Sequence, residues 1–350
     1  MMQAMRFQAV GGYLLWLAVL GTSQPVRSQE PIYTLRLHHY LHQNSVEQTD
    51  WLLPWARAIE ADAQGRLKVE IHPGMQLGGR ATELYDQART GVVDIVWTIT
   101  GYSAGRFPRL EVFELPWVAS SDAIRASATA WDFYETYARD EFSDVKLLAI
   151  ATTGKGTLFM RDREARRPGD LSMLPIRVPS PVVAETIQSY GALPKTLAVP
   201  EIASALSTGE VAGLVTPYRM ISTLKLHPLV THITEFMGDE ALYTSVYLIV
   251  MNKARYEGLP QDLRNVIDDR SGHRLSAQLG WQIDVWEKEA QRAIKKGGAQ
   301  VFNVEGNELA LWKAAAKDQI RAWIAKRDAA GDDGAMLLKA VRRIADGYAR

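Results

Sequence analysis

The 350-residue chain has no cysteine. That absence excludes disulfides, thiolate metal sites, a cysteine nucleophile and a lipid-modified N-terminal cysteine together, and it leaves stability to the core alone. Nowhere do about 18 consecutive apolar residues occur, the length a spanning helix needs. Neither sign of charge is in excess, because 40 Lys and Arg stand against 40 Asp and Glu. No nucleic-acid partner is expected of so balanced a chain. The signatures of chemistry are missing as well: there is no His-Glu-x-x-His, no Gly-x-Ser-x-Gly elbow and no dinucleotide fingerprint after the first strand. Gly154-Lys155-Gly156-Thr157 lacks the spacer of a phosphate loop. His38, His39 and His42 cluster, yet neighbours on a strand face opposite sides and cannot chelate one ion from regular structure. No metal, no cofactor and no catalytic residues are therefore expected, and a periplasmic enzyme is the weakest reading.

What the chain does have begins at its N-terminus. Arg6, an apolar core from Gly12 to Gly21, and small residues Val26 and Ser28 spaced two apart predict a secretory signal peptide over residues 1 to 28. The mature protein then begins at Gln29 and is exported, in a Gram-negative bacterium to the periplasm. Losing Arg6 and Arg27 leaves it with about two net negative charges. Roughly 320 mature residues, from a chain 47% hydrophobic, suffice for two domains without disulfides.

Tyr33 to Tyr40 alternates as a first strand, residues 45 to 63 carry apolar positions at helical spacing, and Leu67 to Ile71 alternates again. That order points to βαβ units and a mostly parallel sheet. A helix ending at Gly91 leads into a strand from Val92 to Trp97. The unit recurs: Glu201, Thr208-Gly209 and Val211 repeat the spacing of Glu83, Thr90-Gly91 and Val93 about 118 residues later. In both, a glycine suited to a left-handed cap lets helix turn into strand. Thr152 to Gly156 reads as a crossing between lobes, and Thr244 to Asn252 as a buried strand returning to the first sheet. A single helix from about Pro260 to Lys296, about 50 Å long, is expected to brace both lobes, followed by a helical tail.

One arginine stands out. Leu174-Pro175-Ile176-Arg177-Val178-Pro179 sets a guanidinium inside a short apolar strand between prolines. Arginine is rarely buried unpaired, and its planar fork suits a bidentate carboxylate. From these residues two readings stay open: a small organic acid held in a cleft, or an internal salt bridge to an Asp or Glu. Trp97, Tyr102 and Tyr243 lie where strands end, so each is a candidate for lining that cleft.

With these residues in view, the chain resembles the periplasmic solute-binding subunits of TRAP transporters, the DctP-like family. The first-lobe match runs through Gln76-Leu77-Gly78-Gly79, Glu83-Leu84 to Gly91-Val92-Val93-Asp94, and Val112-Phe113-Glu114-Leu115-Pro116. The second runs from Asp170-Leu171 through Ile176-Arg177-Val178-Pro179 and Gly191-Ala192 to Glu201, Ala205-Leu206 and Gly209-Glu210-Val211. The resemblance implies a two-lobed, type II-like periplasmic binding fold, each lobe a mixed β-sheet flanked by helices. It implies lobe I from residues 29–153 plus 242–281 and lobe II from 154–241 plus 282–350. It implies too that Arg177 holds a small carboxylate ligand, delivered to a membrane permease of small and large subunits, the chain's only contact with the membrane. A periplasmic sensor of the same fold is the alternative. The expected ligand contacts are Arg177, Thr216, Trp97, Thr98, Tyr40, Gly156, Tyr243 and Tyr102. The sequence departs from the family pattern at Ala212 and Leu214, where acidic or amide residues are usual, at Gly156, where sialic-acid-binding members carry a second arginine, and at Ile99. These departures disfavour a polyhydroxylated sugar acid and favour a smaller, more apolar acid. Val215 cannot ligate a cation, which disfavours a metal-bridged oxo acid.

Overall fold

The alternation at the start of the chain produces β1 (Tyr33–His39), in which Leu35 and Leu37 are buried while Arg36 reaches solvent. The structure, a computed structural model, describes residues 31 to 348, so the expected signal peptide lies outside the described residues. β1 joins β2 (Leu67–His72), β3 (Ile95–Ile99), β4 (Val145–Thr152) and β10 (Val246–Asn252) in a sheet ordered β2-β1-β3-β10-β4. A second sheet holds β5 (Thr157–Met160), β6 (Pro175–Val178), β7 (Leu193–Thr196), β8 (Gly213–Thr216), β9 (His232–Phe236) and β11 (Gln300–Val304), ordered β11-β9-β5-β8-β6-β7. Helices α1 (Leu53–Asp62), α2 (Leu84–Thr90) and α3 (Ala123–Phe133) belong to the chain that forms the first sheet. Among the strands of the second lie α4 (Pro181–Ser189), α5 (Ile202–Thr208) and α6 (Tyr218–Thr223). Then come α7 (Lys253–Glu257), α8 (Gln261–Asp269), α9 (Gly272–Lys296), α10 (Gly306–Ala315), α11 (Lys317–Ala329) and α12 (Gly334–Gly347). The fold is the two-lobed α/β arrangement read from the sequence.

Neither sheet is purely parallel. β10 runs antiparallel to both β3 and β4, and β5 antiparallel to both β8 and β9. The cause is the path of the chain. β4 passes straight into β5 of the other sheet, and β9 is followed directly by β10, so each sheet receives one strand that has crossed over. The two crossings lie side by side: Thr153 N donates to Ser245 O at 2.8 Å, and Gly156 N to Tyr243 O at 2.9 Å.

The repeated unit is real in backbone detail. Gly91 and Gly209 both sit at φ 80°, ψ 13°, closing α2 and α5 in the left-handed region that glycine enters without strain. Val93 N returns to Gln87 O and Val211 N to Ala205 O, the same six-residue closure. The shared glutamates have a role of their own: Glu83 accepts from Arg80 N and Glu201 from Ala198 N, each satisfying an orphan donor at a helix start.

The brace is shorter than the expected single helix. The chain breaks between Asp269 and Gly272, leaving α9 about 37 Å long. It still spans both lobes. Ser276 Oγ accepts from Ile150 N and Asp284 from the amides of Ala123 and Ile124 on the first lobe, while Gln291 and Lys295 donate to Glu235 on β9 of the second. α12 packs on α3, with Arg125 Nε donating to Ala345 O at 2.8 Å.

Because α9 holds both lobes through its buried stripe, Leu279→Ala should destabilise the mature protein by about 2 to 5 kcal/mol, the cost of a core truncation. Trp281 lies two residues on and is 56% exposed, so Trp281→Ala should stay within about 0.5 kcal/mol. Urea unfolding followed by circular dichroism measures both, and equal losses would show that α9 is not docked by this face.

Candidate functional site

Arg177 lies on β6, between β7 and β8, with its side chain only 2% exposed. Its Nε and Nη2 both donate to Leu197 O, at 3.0 and 2.8 Å. Among the described residues no carboxylate comes within 4 Å of it, so the internal salt-bridge reading has no partner. Burial lowers its pKa from the ordinary guanidinium value, opposed by the phenols of Tyr243, Tyr102 and Tyr40 and then by Glu201. Those three tyrosines are the groups gathered round it.

Tyr243 is buried in the second crossing segment, and its hydroxyl donates to Val215 O on β8 at 3.0 Å. Its ring lies on Gly156. A Cβ at that position would stand 2.1 Å from Tyr243 Cε1, so the space that a side chain at 156 would need is filled by this phenol. Tyr102 follows β3, and its hydroxyl accepts from Val199 N at 2.9 Å, two residues beyond the carbonyl that Arg177 grips. Tyr40, just past β1, meets Tyr102 edge to face at 5.5 Å. Burial drives the hydroxyl pKa of Tyr102 up to about 12 and that of Tyr40 well above its ordinary value, so all are neutral dipoles. Thr216 is buried at the end of β8, opposite Thr157.

Trp97 and Thr98 are neighbours on β3 and face opposite sides of the sheet. Trp97 shares its face with Tyr247, the rings 5.2 Å apart, and meets Trp51 at 5.5 Å. Thr98 points away from that cluster. The structure thus brings Arg177, Tyr40, Tyr102, Tyr243 and Gly156 together, adds Trp97 through Tyr247, and leaves Thr98 on the other face. The histidines are shared out between two glutamines: His38 Nδ1 meets Gln87 at 2.7 Å and His39 Nε2 meets Gln48 at 2.6 Å.

Sequence reasoning missed a second buried arginine. Arg219 on α6 is 2% exposed and pairs with Glu47, fully buried in the helical turns that precede α1. Its Nε stands 3.9 Å from Glu287 of α9, and its Nη2 donates to the Tyr247 hydroxyl at 2.5 Å. Burial pushes the Glu287 carboxyl up to about 7, with Arg219 pulling the other way. The signal was present, since Pro217-Tyr218-Arg219-Met220-Ile221 also sets one arginine in an apolar run. Unlike Arg177, this guanidinium has two acids of its own.

A third contact joins the lobes. Glu114, of the Phe-Glu-Leu-Pro motif, accepts from Thr100 Oγ1 at 2.7 Å and from the hydroxyl of Ser180, which also caps α4. Its carboxyl is pushed up to about 7 by burial, the two hydroxyl donors opposing.

Residues 37–327 match the model of the family DctP, described as bacterial extracellular solute-binding protein, family 7. Among solved structures, a TRAP solute-binding protein from a marine metagenome, specific for aromatic acid ligands and seen with metahydroxyphenylacetate, superposes with TM-score 0.88 at 35% identity, covering 91% of this chain and 99% of that one. One from Rhodoferax ferrireducens, with copurified benzoate, gives 0.86 at 35% identity over 90% and 98%. In sequence alone, the C4-dicarboxylate-binding periplasmic protein DctP of Rhodobacter capsulatus is 23% identical over 260 residues, 73% of this chain and 75% of that protein. The strand order with its two crossings, the buried arginine on β6 and a family match over most of the described residues agree, and the chain belongs to the DctP family of extracellular solute-binding proteins that serve TRAP transporters.

Proposed function

We propose that this chain is the solute-capturing subunit of a TRAP-type secondary transporter and that its solute is an aromatic monocarboxylate, bound by Arg177. One observation carries the reading: a buried guanidinium lacks a carboxylate of its own and is surrounded by the phenols of Tyr40, Tyr102 and Tyr243. A ligand carboxylate supplies the missing charge, and rings packed edge to face accept a planar ring at about 0.5 to 1.5 kcal/mol per contact beyond burial. A second ligand carboxylate would face Arg219, already matched by Glu47 and Glu287, so a C4-dicarboxylate suits this site less well. The relatives at 35% identity that hold aromatic acids support the same class. Thr216 and Gly156 complete the wall in this reading, and Trp97 acts through Tyr247.

The signal peptide delivers the chain to the periplasm, where it hands its solute to the membrane permease. Among the described residues no helix is long and apolar enough to cross a membrane, in keeping with that route. The lobes meet at two hinges, 153–156 and 238–242, and close over the ligand. We assign 29–153 plus 242–281 to lobe I and 154–241 plus 282–350 to lobe II, with α12 lying back on lobe I.

Saturating benzoate should therefore lower the radius of gyration of the mature protein in small-angle scattering; an unchanged radius on demonstrated binding would remove the hinges. Arg177→Ala should weaken benzoate binding by on the order of 2 to 5 kcal/mol, roughly thirty- to several-thousand-fold. Arg177→Lys keeps charge but loses the fork and should fall between. Calorimetry decides, and an alanine variant that binds benzoate as tightly as the parent would end the carboxylate assignment.

A further inference from the structure

The short turn Thr100–Tyr102 that follows β3 meets the other lobe at a point where no side chain intervenes. We propose that Gly101 seals the closed cleft: its missing side chain lets Ser180 of the other lobe seat against its backbone, and this contact sets how long a captured solute is held rather than how it is recognised. The proposal rests on the carboxylate-capture reading, lobe closure included, and adds to it the place where the closed form is locked.

The backbone of Gly101 makes no demand for glycine, because its φ lies outside the left-handed region. The demand comes from across the cleft. A Cβ at 101 would stand 2.6 Å from Ser180 Cβ, 3.4 Å from Pro179 O and 3.5 Å from Ser180 Cα, all on the chain that leaves β6. A Cβ is placed by the backbone, so no rotamer of Ser180 would relieve the clash. Ser180 is also pinned: its hydroxyl donates to Glu114 and accepts from Val183 N at 3.3 Å, capping α4, and Pro181 opens that helix. Glu114 in turn accepts from Thr100 Oγ1 at 2.7 Å, so one buried carboxylate takes a hydroxyl from each side of the contact.

The same seam adjoins the solute's surroundings on both sides. Tyr102 follows Gly101 directly, and Ser180 stands three residues beyond Arg177. A cavity lined by Thr100, Gly101, Glu114 and Ser180, with Glu185 and Lys326 among its other walls, is lined by neither Arg177 nor the three tyrosines around it. Gly101 and Ser180 therefore mark the border between that space and the Arg177 site. A methyl group added at 101 has to be taken up by parting the lobes, since packed interiors yield little, and it leaves the packing within each lobe alone.

The test is Gly101→Ala in the mature protein, with benzoate association and release followed by stopped-flow fluorescence and thermal melts of the ligand-free protein as the folding control. Release should quicken roughly ten- to a hundredfold, the effect of overpacking one contact, while association changes less than about threefold. The ligand-free melt should not move. A variant that releases benzoate at the parent's rate, or one whose ligand-free melting temperature falls, overturns the seal and leaves the Arg177 assignment standing. Gly101→Cys with Ser180→Cys gives an independent reading in a chain with no other cysteine. A disulfide needs Cβ atoms about 3.8 Å apart, so the pair should oxidise when the cleft shuts, and benzoate should speed that several-fold. If the parent binds no benzoate, the aromatic-acid reading falls and the cysteine pair alone decides: a disulfide formed without ligand upholds the contact, and none under mild oxidant ends it.

Discussion

A guanidinium buried without a carboxylate is the constraint on which this molecule turns. Removing such a charge from water costs several kcal/mol even after relaxation, and the chain offsets only part of that with one carbonyl, Leu197 O, and a set of phenol dipoles. The shortfall is local and directional. It makes the neighbourhood of Arg177 a place where a bound anion gains more than it would at the surface, because low dielectric strengthens the attraction that remains. β6 can hold such a residue because it is an inner strand, flanked on both sides by backbone pairing, so its geometry does not depend on the side chain being satisfied.

Arg219 shows what the alternative looks like. It is as deeply buried, yet Glu47 arrives from one lobe and Glu287 from the bracing helix, so its charge is spent inside the protein. The same residue type therefore stands in two settings: the charge of Arg177 has no carboxylate beside it among the described residues, and that of Arg219 ties α6, α9 and the start of α1 together. What distinguishes them is their acids, not their exposure. That difference also explains why two buried arginines need not imply a ligand with two carboxylates.

Much of this was legible in the sequence, and the rest was hidden for definite reasons. Arg177 could be read because the apolar residues and prolines that bury it are its immediate neighbours. The doubled unit could be read because Gly91 and Gly209 need a left-handed backbone and Glu83 and Glu201 cap locally, both short-range effects. Arg219 was equally conspicuous in its own run, but Glu47 and Glu287, which determine its role, lie far away in the chain and look like ordinary helix-surface acids. β7 and β11 escaped because they are edge strands with mostly exposed side chains, lacking the alternation that marks a half-buried strand. The brace reads as continuous because charged and apolar positions carry helical spacing straight through Arg270, whereas the backbone leaves the helix at Ser271, φ −130° and ψ −176°, and at Gly272, φ +84°.

The contacts between lobes differ in kind from those within them. Across the interface, Ser180 donates to Glu114, Val199 N to the Tyr102 hydroxyl, and Arg219 pairs with Glu47. The neutral hydrogen bond, Val199 N to Tyr102, is worth only about 0.5 to 1.5 kcal/mol net, because its groups can exchange their partners for water. Along the brace, the buried stripe of Leu275, Leu279, Ile283, Trp286 and Ile294 adds apolar contacts that have no such substitute. A small ligand can tip a two-state balance only by its differential affinity for the two states. In the proposed function Arg177 would supply that difference, since a ligand carboxylate would meet it together with the phenols of both lobes only in the closed form.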